Sequence, residues 1–143
     1  MPDEEVKSVR SSLMTVAPDI FGKPPILFAY LYGSYARGFV HSFSDLDIAI
    51  YIDKIPCDEY LGLELSLSLE IDNKIGHGVT SDVRIINALP LVITGNIITE
   101  GVLIFSRSEI IRVDFETSIR SAYFDFLPVI RMYQSAYVDS IVS

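Results

Sequence analysis

The sequence predicts an α/β (α+β) fold, in which short apolar strands alternate with helices along a chain of 143 residues. Four apolar segments have the length of strands, and most segments between them space their apolar residues three or four positions apart, as amphipathic helices do. The chain is 50% hydrophobic, so at this length it can bury a real core. We expect a single domain over residues 1–143, with a core over about 20–106 and a C-terminal helical extension over about 107–143.

The N-terminal part is predicted to hold a helix, a central strand and a short helical turn. Apolar residues three or four apart predict a helix over 4–15, and a glycine and two prolines interrupt the chain at 22–25. Residues 26–32 are apolar on both faces, which is typical of a central strand covered on each side. A glycine ends this strand, and Ser34 is predicted to cap a helical turn that runs to Arg37.

The middle of the chain is predicted to add two strands and a helix. A loop over 38–44 precedes a second apolar strand over 45–52. A helix over about 58–71 follows, and its leucines are numerous enough that we expect it to be substantially buried. A glycine-containing turn at 76–78 then leads into a third strand over 80–86.

The C-terminal part is predicted to be mainly helical. A proline-started helix over 89–99 leads to a last strand over 102–105, and one long helical pattern runs from residue 108 onward. A straight helix of that length would be roughly 50 Å long, whereas a globule of this size is about 40 Å across. The helix must therefore break or project. We expect a break near Pro128, because proline removes a backbone donor and clashes with the preceding turn.

The most informative motif joins a Gly-Ser pair to three acids. Gly33 and Ser34 end the first strand, ten residues separate Ser34 from Asp45, and Asp47 follows two positions later. Residues two apart in a strand share a face, so the two carboxylates lie together and repel each other unless a cation binds between them. Asp82 opens the third strand and joins the pair if that strand lies beside the second. Mg²⁺ prefers one or two carboxylates together with phosphate oxygens and waters.

The turn after the first strand has the features of a phosphate site. Gly33 allows the backbone to approach a phosphate closely, and Ser34 adds a hydroxyl at the start of a helical turn whose N–H groups favour an anion. Arg37 lies one turn further on, where it can reach the same phosphates. With Asp82 placed to ligate a metal and deprotonate an attacking hydroxyl, the set predicts phosphoryl or nucleotidyl transfer. Taken singly, each piece also suits a strand edge, a cap or a surface salt bridge.

Composition restricts the classes of function. The net charge is −8, so we expect no direct binding of nucleic acid, which relies on Lys and Arg to neutralise phosphates. No apolar run approaches the ~20 residues that span a bilayer, so we expect no membrane segment. Cys57 is the only cysteine, which indicates a reducing, cytoplasmic location and a buried thiol. Residues 58–72 carry five acids and no base, as in a solvated helix face or a docking surface for a cationic protein.

The motif resembles the signature of the DNA polymerase β-like nucleotidyltransferase superfamily. That signature is a Gly-Ser pair, a gap of about ten residues, an Asp-x-Asp pair and a later third carboxylate. Within the superfamily the chain is most similar to the minimal nucleotidyltransferases (MNT), whose Gly-Ser-x-Ala-Arg-Gly loop resembles residues 33–38. The segments 81–90, 101–105 and 123–128 resemble, in turn, the third-acid strand, the last strand and a helical segment of antitoxin-type members.

This resemblance implies both a fold and an activity. The fold is a small mixed sheet of about four strands flanked by helices, and the substrate is ATP or another nucleoside triphosphate with two Mg²⁺ ions. Asp45 and Asp47 would bind the metals, Asp82 would ligate the catalytic metal and act as base, and Gly33 and Ser34 would hold the triphosphate. Many such proteins are antitoxins that transfer AMP to a tyrosine of a partner HEPN-domain RNase toxin, as in type VII toxin–antitoxin pairs.

Two other functions and the oligomeric state stay open at this point. The protein would act as a binding module without catalysis if its acidic surface and long C-terminal helix only sequestered a basic toxin. It would act on a small molecule if it resembled the aminoglycoside nucleotidyltransferases, although the chain leaves little room for the substrate-binding structure those enzymes carry. The sequence is compatible with a monomer or an oligomer.

Overall fold

The computed structural model describes residues 2–38, 45–76 and 78–142. Most of the predicted loop over 38–44, and the central residue of the predicted turn at 76–78, lie outside the described residues. The helices are α1 (Pro2–Phe21), α2 (Ser34–Arg37), α3 (Tyr60–Ile75), α4 (Leu91–Glu100) and α5 (Glu109–Val142). The strands are β1 (Ile26–Tyr32), β2 (Leu46–Ile52), β3 (Ser81–Ile85) and β4 (Val102–Ser106). Short 3₁₀ turns, Cys57–Glu59 and Ile86–Ala88, precede α3 and α4.

The four strands form one mixed sheet in the order β3-β2-β1-β4. β1 is antiparallel to both β2 and β4, and β2 is parallel to β3. A short antiparallel pair needs only a compact connection, whereas the parallel pair needs a crossover, which α3 supplies. The predicted mixed sheet flanked by helices is confirmed.

Helices cover both faces of this sheet. On one face, α1 and α3 pack against the inward residues of β2, which include Leu46, Ile48 and Ile50, all fully buried. On the other face, α4 and α5 cover the side chains of Phe28, Tyr30 and Ala49. β1 therefore contributes buried residues to both layers, as its apolar sequence predicts for a central strand.

The helix α3 protects the free edge of β3. The backbone N–H of Ser81 donates to Asp72 at 2.8 Å, and the N–H of Ile85 donates to Glu64 at 2.9 Å. An edge strand with unpaired N–H groups invites pairing with another chain, so these two carboxylates block that edge. A third acid, Glu70, pairs with Lys23 at 2.7 Å. Three of the five acids in the predicted docking surface are thus occupied within the protein.

Burial along α3 differs from the prediction. Leu67 and Ile71 are buried, but Leu61, Leu65 and Leu69 are 64%, 57% and 65% exposed. The helix presents one face to α1 and the sheet, so only leucines on that face are covered. The expectation of a substantially buried helix is therefore wrong. Cys57, in the turn before α3, is also exposed, so the prediction of a buried thiol is wrong too.

The helix α5 runs unbroken for 34 residues with Pro128 inside it, so the predicted break near Pro128 is wrong and the helix projects instead. The carbonyl that loses its usual hydrogen-bond donor belongs to Phe124, and both Phe124 and Pro128 are exposed, a setting in which water can satisfy a free carbonyl. Residues 131–141 are all exposed, and no packing contact there requires the chain to turn back. No helix of the described residues is both long enough and apolar enough for a bilayer span.

A buried carboxylate anchors the first half of α5 to the sheet. Glu116 is 7% exposed, and its Oε1 accepts hydrogen bonds of 2.8 Å from the Tyr30 hydroxyl and from Arg112. A buried charge is tolerated only when it is paired and hydrogen-bonded, and here a phenol and a guanidinium satisfy it. Burial and the contact with Glu116 raise the pKa of Tyr30, so this phenol stays protonated as a donor.

Candidate active site

The candidate site lies on the sheet face that α4 and α5 cover, at the end of β1 where that strand meets α2. Side chains alternate along a strand, so Asp47, Ala49 and Tyr51 share this face of β2. The ring of Tyr51 packs at a tilt against Phe115 of α5, with ring centroids 4.5 Å apart, and this contact closes one end of the face. Asp47 stands at the other end, where it is only half-buried.

Two of the predicted acids are direct neighbours in the sheet. Asp47 is the register partner of Asp82 on β3 and of Tyr32 on β1. In-register residues of adjacent strands project from the same face about 5 Å apart. The prediction that Asp82 lies beside the Asp45/Asp47 pair therefore agrees with the geometry for Asp47.

The electrostatics of Asp47 reflect this crowding. Burial, and then the charges of Asp82 and Asp45, raise its pKa to about 6, against a weaker opposing effect of Arg84 and Arg37. Burial and the charge of Asp47 similarly raise the pKa of Tyr32 to about 12, so its phenol is neutral at physiological pH. Both shifts disfavour negative charge at this end of the strand, whereas a cation bound beside Asp47 would favour its ionised form.

Asp45 and Asp82 each have a polar partner. Asp45 lies one residue before β2, and its carboxylate accepts a 2.8 Å hydrogen bond from the Thr80 hydroxyl. Asp82 forms an ion pair with Arg84 at 3.4 Å. Within the described part of the chain no three acidic, His or Cys side chains are grouped so that they could hold one metal ion. Asp47 and Asp82 are thus neighbouring carboxylates, whereas the third acid, Asp45, is hydrogen-bonded to Thr80 at the end of the strand.

Gly33 brings the turn after β1 directly against Asp47. Its φ of 72° and ψ of −151° fall in a region that is essentially restricted to glycine. A Cβ at this position would lie 2.3 Å from Asp47 Oδ2. Any side chain at this position would therefore move the Asp47 carboxylate, so the close approach adds to the preference for glycine that the backbone conformation sets.

The helical turn after Gly33 differs from its prediction in one detail. Gly33 is the N-cap, and Ser34 is the first helical residue, so the predicted capping role of Ser34 is wrong. The backbone N–H of Arg37 donates to the Gly33 carbonyl at 3.1 Å and closes the turn. Arg37 ends α2 on the surface, where its guanidinium is free to move toward a ligand at Gly33.

The sequence motif does not identify three residues that lie around the carboxylates: Tyr32, Thr80 and Arg84. Arg84 is nevertheless predictable by period two, because it lies two residues after Asp82 on β3 and so shares its face. Tyr32 requires the antiparallel pairing of β1 with β2, which places it beside Asp47. Thr80 could be found only from the parallel pairing of β2 with β3, since it bonds Asp45 across that pair.

Replacing Asp47 with asparagine is expected to stabilise the metal-free protein at neutral pH. The pKa of Asp47 is raised to about 6 in the folded state, so the folded state holds this proton more tightly than the unfolded state does. Stability from this group is full at low pH and is lost as pH rises toward and through 6. After allowance for solvent screening of a half-exposed group, we expect a gain of about 1 kcal/mol.

Urea denaturation in the presence of a chelator at about pH 5 and about pH 8 checks this expectation. The wild type should lose more free energy of unfolding between the two conditions than Asp47→Asn does. Equal losses in the two proteins would show that Asp47 is not destabilised by its surroundings.

Comparison with known proteins agrees with this geometry. Residues 19–110 match the family described as polymerase beta, nucleotidyltransferase. No curated protein matches the sequence. Among solved structures, a chain from a toxin–antitoxin with AMP-PNP is 17% identical with a TM-score of 0.63, and the match covers 91% of this chain and 98% of that one.

Two further structures share the fold. One is a chain of the tri-AMPylated Shewanella oneidensis HEPN toxin in complex with MNT antitoxin, 17% identical with a TM-score of 0.60, covering 92% of this chain and 97% of that one. The other is a chain of a toxin–antitoxin MntA-HepT, 14% identical with a TM-score of 0.59 and the same coverage. Because the matched chains are covered almost completely, the likeness includes the helical C-terminal part.

Proposed function

Because the chain belongs to the polymerase beta nucleotidyltransferase family, we propose that it transfers AMP from ATP to a tyrosine hydroxyl of a HEPN toxin. In this role it would be the cytoplasmic antitoxin of a type VII toxin–antitoxin pair. The observation that carries the proposal is the position of Asp47, which pairs in register with Asp82 on one side and touches the Gly33 turn on the other. The residues that we propose as base, metal-binding carboxylate and phosphate turn are thereby neighbours at one strand end.

The residues present fit magnesium. Asp47 and Asp82 offer neighbouring carboxylates, and Asp45 lies one residue before the same strand. Burial and the charges of Asp82 and Asp45 raise the pKa of Asp47, and a bound cation would favour its charged form. Magnesium is commonly held by one or two carboxylates with the remaining positions taken by phosphates and water, so a cage of three protein ligands is not required. When bound, it would neutralise the triphosphate and polarise the reacting phosphoryl group.

The protein groups have separate tasks in the transfer. Gly33 lets its backbone approach the β- and γ-phosphates, and Arg37 adds a positive charge to the same side. Asp82 takes the proton of the attacking tyrosine hydroxyl. The tyrosine oxygen then bonds to the α-phosphorus, the bond from that phosphorus to the bridging oxygen breaks, and pyrophosphate leaves. These steps depend on positioning and on charge complementarity.

The partner and the donor are supported by the structural neighbours. One neighbour is described as a tri-AMPylated HEPN toxin with MNT antitoxin, and another contains the ATP analogue AMP-PNP. The projecting half of α5 favours a protein partner, because a surface with Phe126, Tyr133, Tyr137 and Ile141 exposed is unusual for an isolated helix. The same exposed surface also suits the second candidate, a module that neutralises the toxin by docking alone.

Transfer of labelled AMP distinguishes the two candidates. The protein is mixed with α-labelled ATP, Mg²⁺ and the product of the adjacent toxin gene, with a chelator as the control. We expect label on the toxin only when Mg²⁺ is present, and mass spectrometry should place it on tyrosine. A toxin that is neutralised without acquiring label would instead favour docking without catalysis.

A further inference from the structure

A cleft separates the Gly33 turn from helix α4. It has a volume of about 240 Å³, near the lower end of the range for small-molecule sites. On one side it is lined by Tyr32, Gly33 and Arg37, and on the other by Ile93, Asn96, Ile97 and Glu100 of α4. Two other cavities, one beside Tyr51 and one beside Glu109, contain none of the predicted site residues.

The strand order separates the two substrates of the proposed reaction. Asp82, the proposed base, lies on the outer strand β3, so the acceptor hydroxyl has to approach from that side. Gly33 follows β1, on the opposite side of Asp47, and marks the side of the donor phosphates. The cleft opens from Gly33 and Arg37 on this donor side. Its occupant is therefore connected to the phosphates and not to the acceptor.

The α4 wall combines apolar and polar groups. Ile97 is buried and Ile93 is half-exposed at 44%, which gives an apolar surface for one face of a base. The Asn96 amide oxygen accepts a 2.8 Å hydrogen bond from the Tyr123 hydroxyl, so the side chain is fixed with its NH₂ group available to a ligand. The Glu100 carboxylate, at the end of the helix, is an acceptor for hydroxyl groups.

A glycine makes this arrangement of Asn96 possible. A Cβ on Gly95 would lie 2.2 Å from the ring of Tyr123, so only glycine lets that ring pack directly on α4. The close contact brings the Tyr123 hydroxyl to its neighbour Asn96. The Asn96 side chain in the cleft is thus held in place by Tyr123 of α5, as expected in a binding site whose side chains are positioned before the ligand binds.

From these observations we infer that the cleft binds the nucleoside of the donor nucleotide, an inference that depends on the proposed function. The base packs against Ile93 and Ile97, the Asn96 NH₂ group donates to a base acceptor atom, and Glu100 accepts from ribose hydroxyls. The triphosphate extends from there to Gly33 and Arg37. Residues of α4, outside the Gly-Ser and Asp-x-Asp motifs, then determine how tightly the nucleotide binds.

A bulky substitution in the cleft tests this assignment with two ligands. Ile93→Trp fills the cleft from a half-exposed position, and the protein is titrated calorimetrically with Mg²⁺ and either ATP or inorganic tripolyphosphate, which lacks a nucleoside. We expect the dissociation constant for ATP to rise at least about tenfold and that for tripolyphosphate to stay unchanged. Asn96→Ala should weaken ATP binding about fivefold and also spare tripolyphosphate. Leu69→Trp, on the opposite face of the sheet, is the matched control and should change neither.

The other outcomes show whether the inference about the cleft or the proposed function itself is wrong. An unchanged ATP dissociation constant in both cleft variants would overturn the inference, even if transfer to the toxin became slower, because the cleft would then serve the acceptor. Equal weakening of ATP and tripolyphosphate would overturn it as well, because the cleft would then hold phosphates. Wild-type protein that binds neither ligand would overturn the proposed function itself.

Discussion

Asp82→Asn is expected to slow AMP transfer by about 10³-fold or more and to leave ATP binding within a few-fold of wild type. A positioned general base contributes about 10²–10⁴-fold to a rate, and the loss of a metal ligand adds to that deficit. Asparagine matches aspartate in shape but cannot take the proton of the attacking hydroxyl. The side chain of Asp82 is 43% exposed, and its ion pair is with the surface residue Arg84, so the fold should tolerate the change.

Single-turnover transfer to the toxin and calorimetric titration with ATP measure the two effects separately. Asp19→Asn makes the same chemical change on an exposed position of α1, and it should transfer at the wild-type rate. Transfer by Asp82→Asn at more than a tenth of the wild-type rate would exclude Asp82 as the base.

The sequence predicts most accurately those features that depend only on residues close to one another in the chain. The bounds of β1 and the end of α2 at Arg37 agree with the prediction, because an apolar run ends at a glycine and a short helical turn follows it. The alternation of side chains correctly assigns Leu46, Ile48 and Ile50 to the core. The resemblance to the nucleotidyltransferases is confirmed by the family match, since its motif consists of residues that this geometry requires.

The sequence predicts less where the result depends on which surfaces meet. The leucines of α3 recur at every second residue over 61–69. A period of two does not select one face of a helix, so the pattern cannot tell that Leu67 faces the sheet and Leu65 faces solvent. The continuity of α5 through Pro128 depends on the absence of packing beyond that point, which a local rule about proline does not contain. The acids of α3 suggest a docking surface, but Glu64 and Asp72 accept from backbone N–H groups of β3 and Glu70 pairs with Lys23. These partners become visible only once the strands and helices are placed.

For the candidate active site, too, the sequence predicts some features and not others. The motif predicts that Asp47 and Asp82 converge, because each opens a strand of one sheet. It does not predict that Thr80 holds Asp45 or that Arg84 pairs with Asp82. These contacts depend on the register of β2 with β3, which the motif does not contain.

Gly33→Ala is expected to reduce transfer by at least about 10²-fold, because its methyl group would lie 2.3 Å from Asp47 Oδ2 and would displace that carboxylate. A displacement of about 1 Å in a reacting group can cost that factor. The substitution should also lower the free energy of unfolding by about 1–3 kcal/mol, since alanine is strained at a φ of 72°. Thermal denaturation and single-turnover transfer measure the two quantities.

Gly76→Ala separates the collision with Asp47 from the backbone strain. Gly76 has a φ of 68° and a ψ of −138°, close to those of Gly33, but a Cβ there would meet no atom within 4 Å. Both variants should therefore lose similar amounts of stability, whereas only Gly33→Ala should lose transfer. If Gly76→Ala lost transfer to the same extent, destabilisation alone would explain both results, and the contact between the Gly33 turn and Asp47 would have no special role in catalysis.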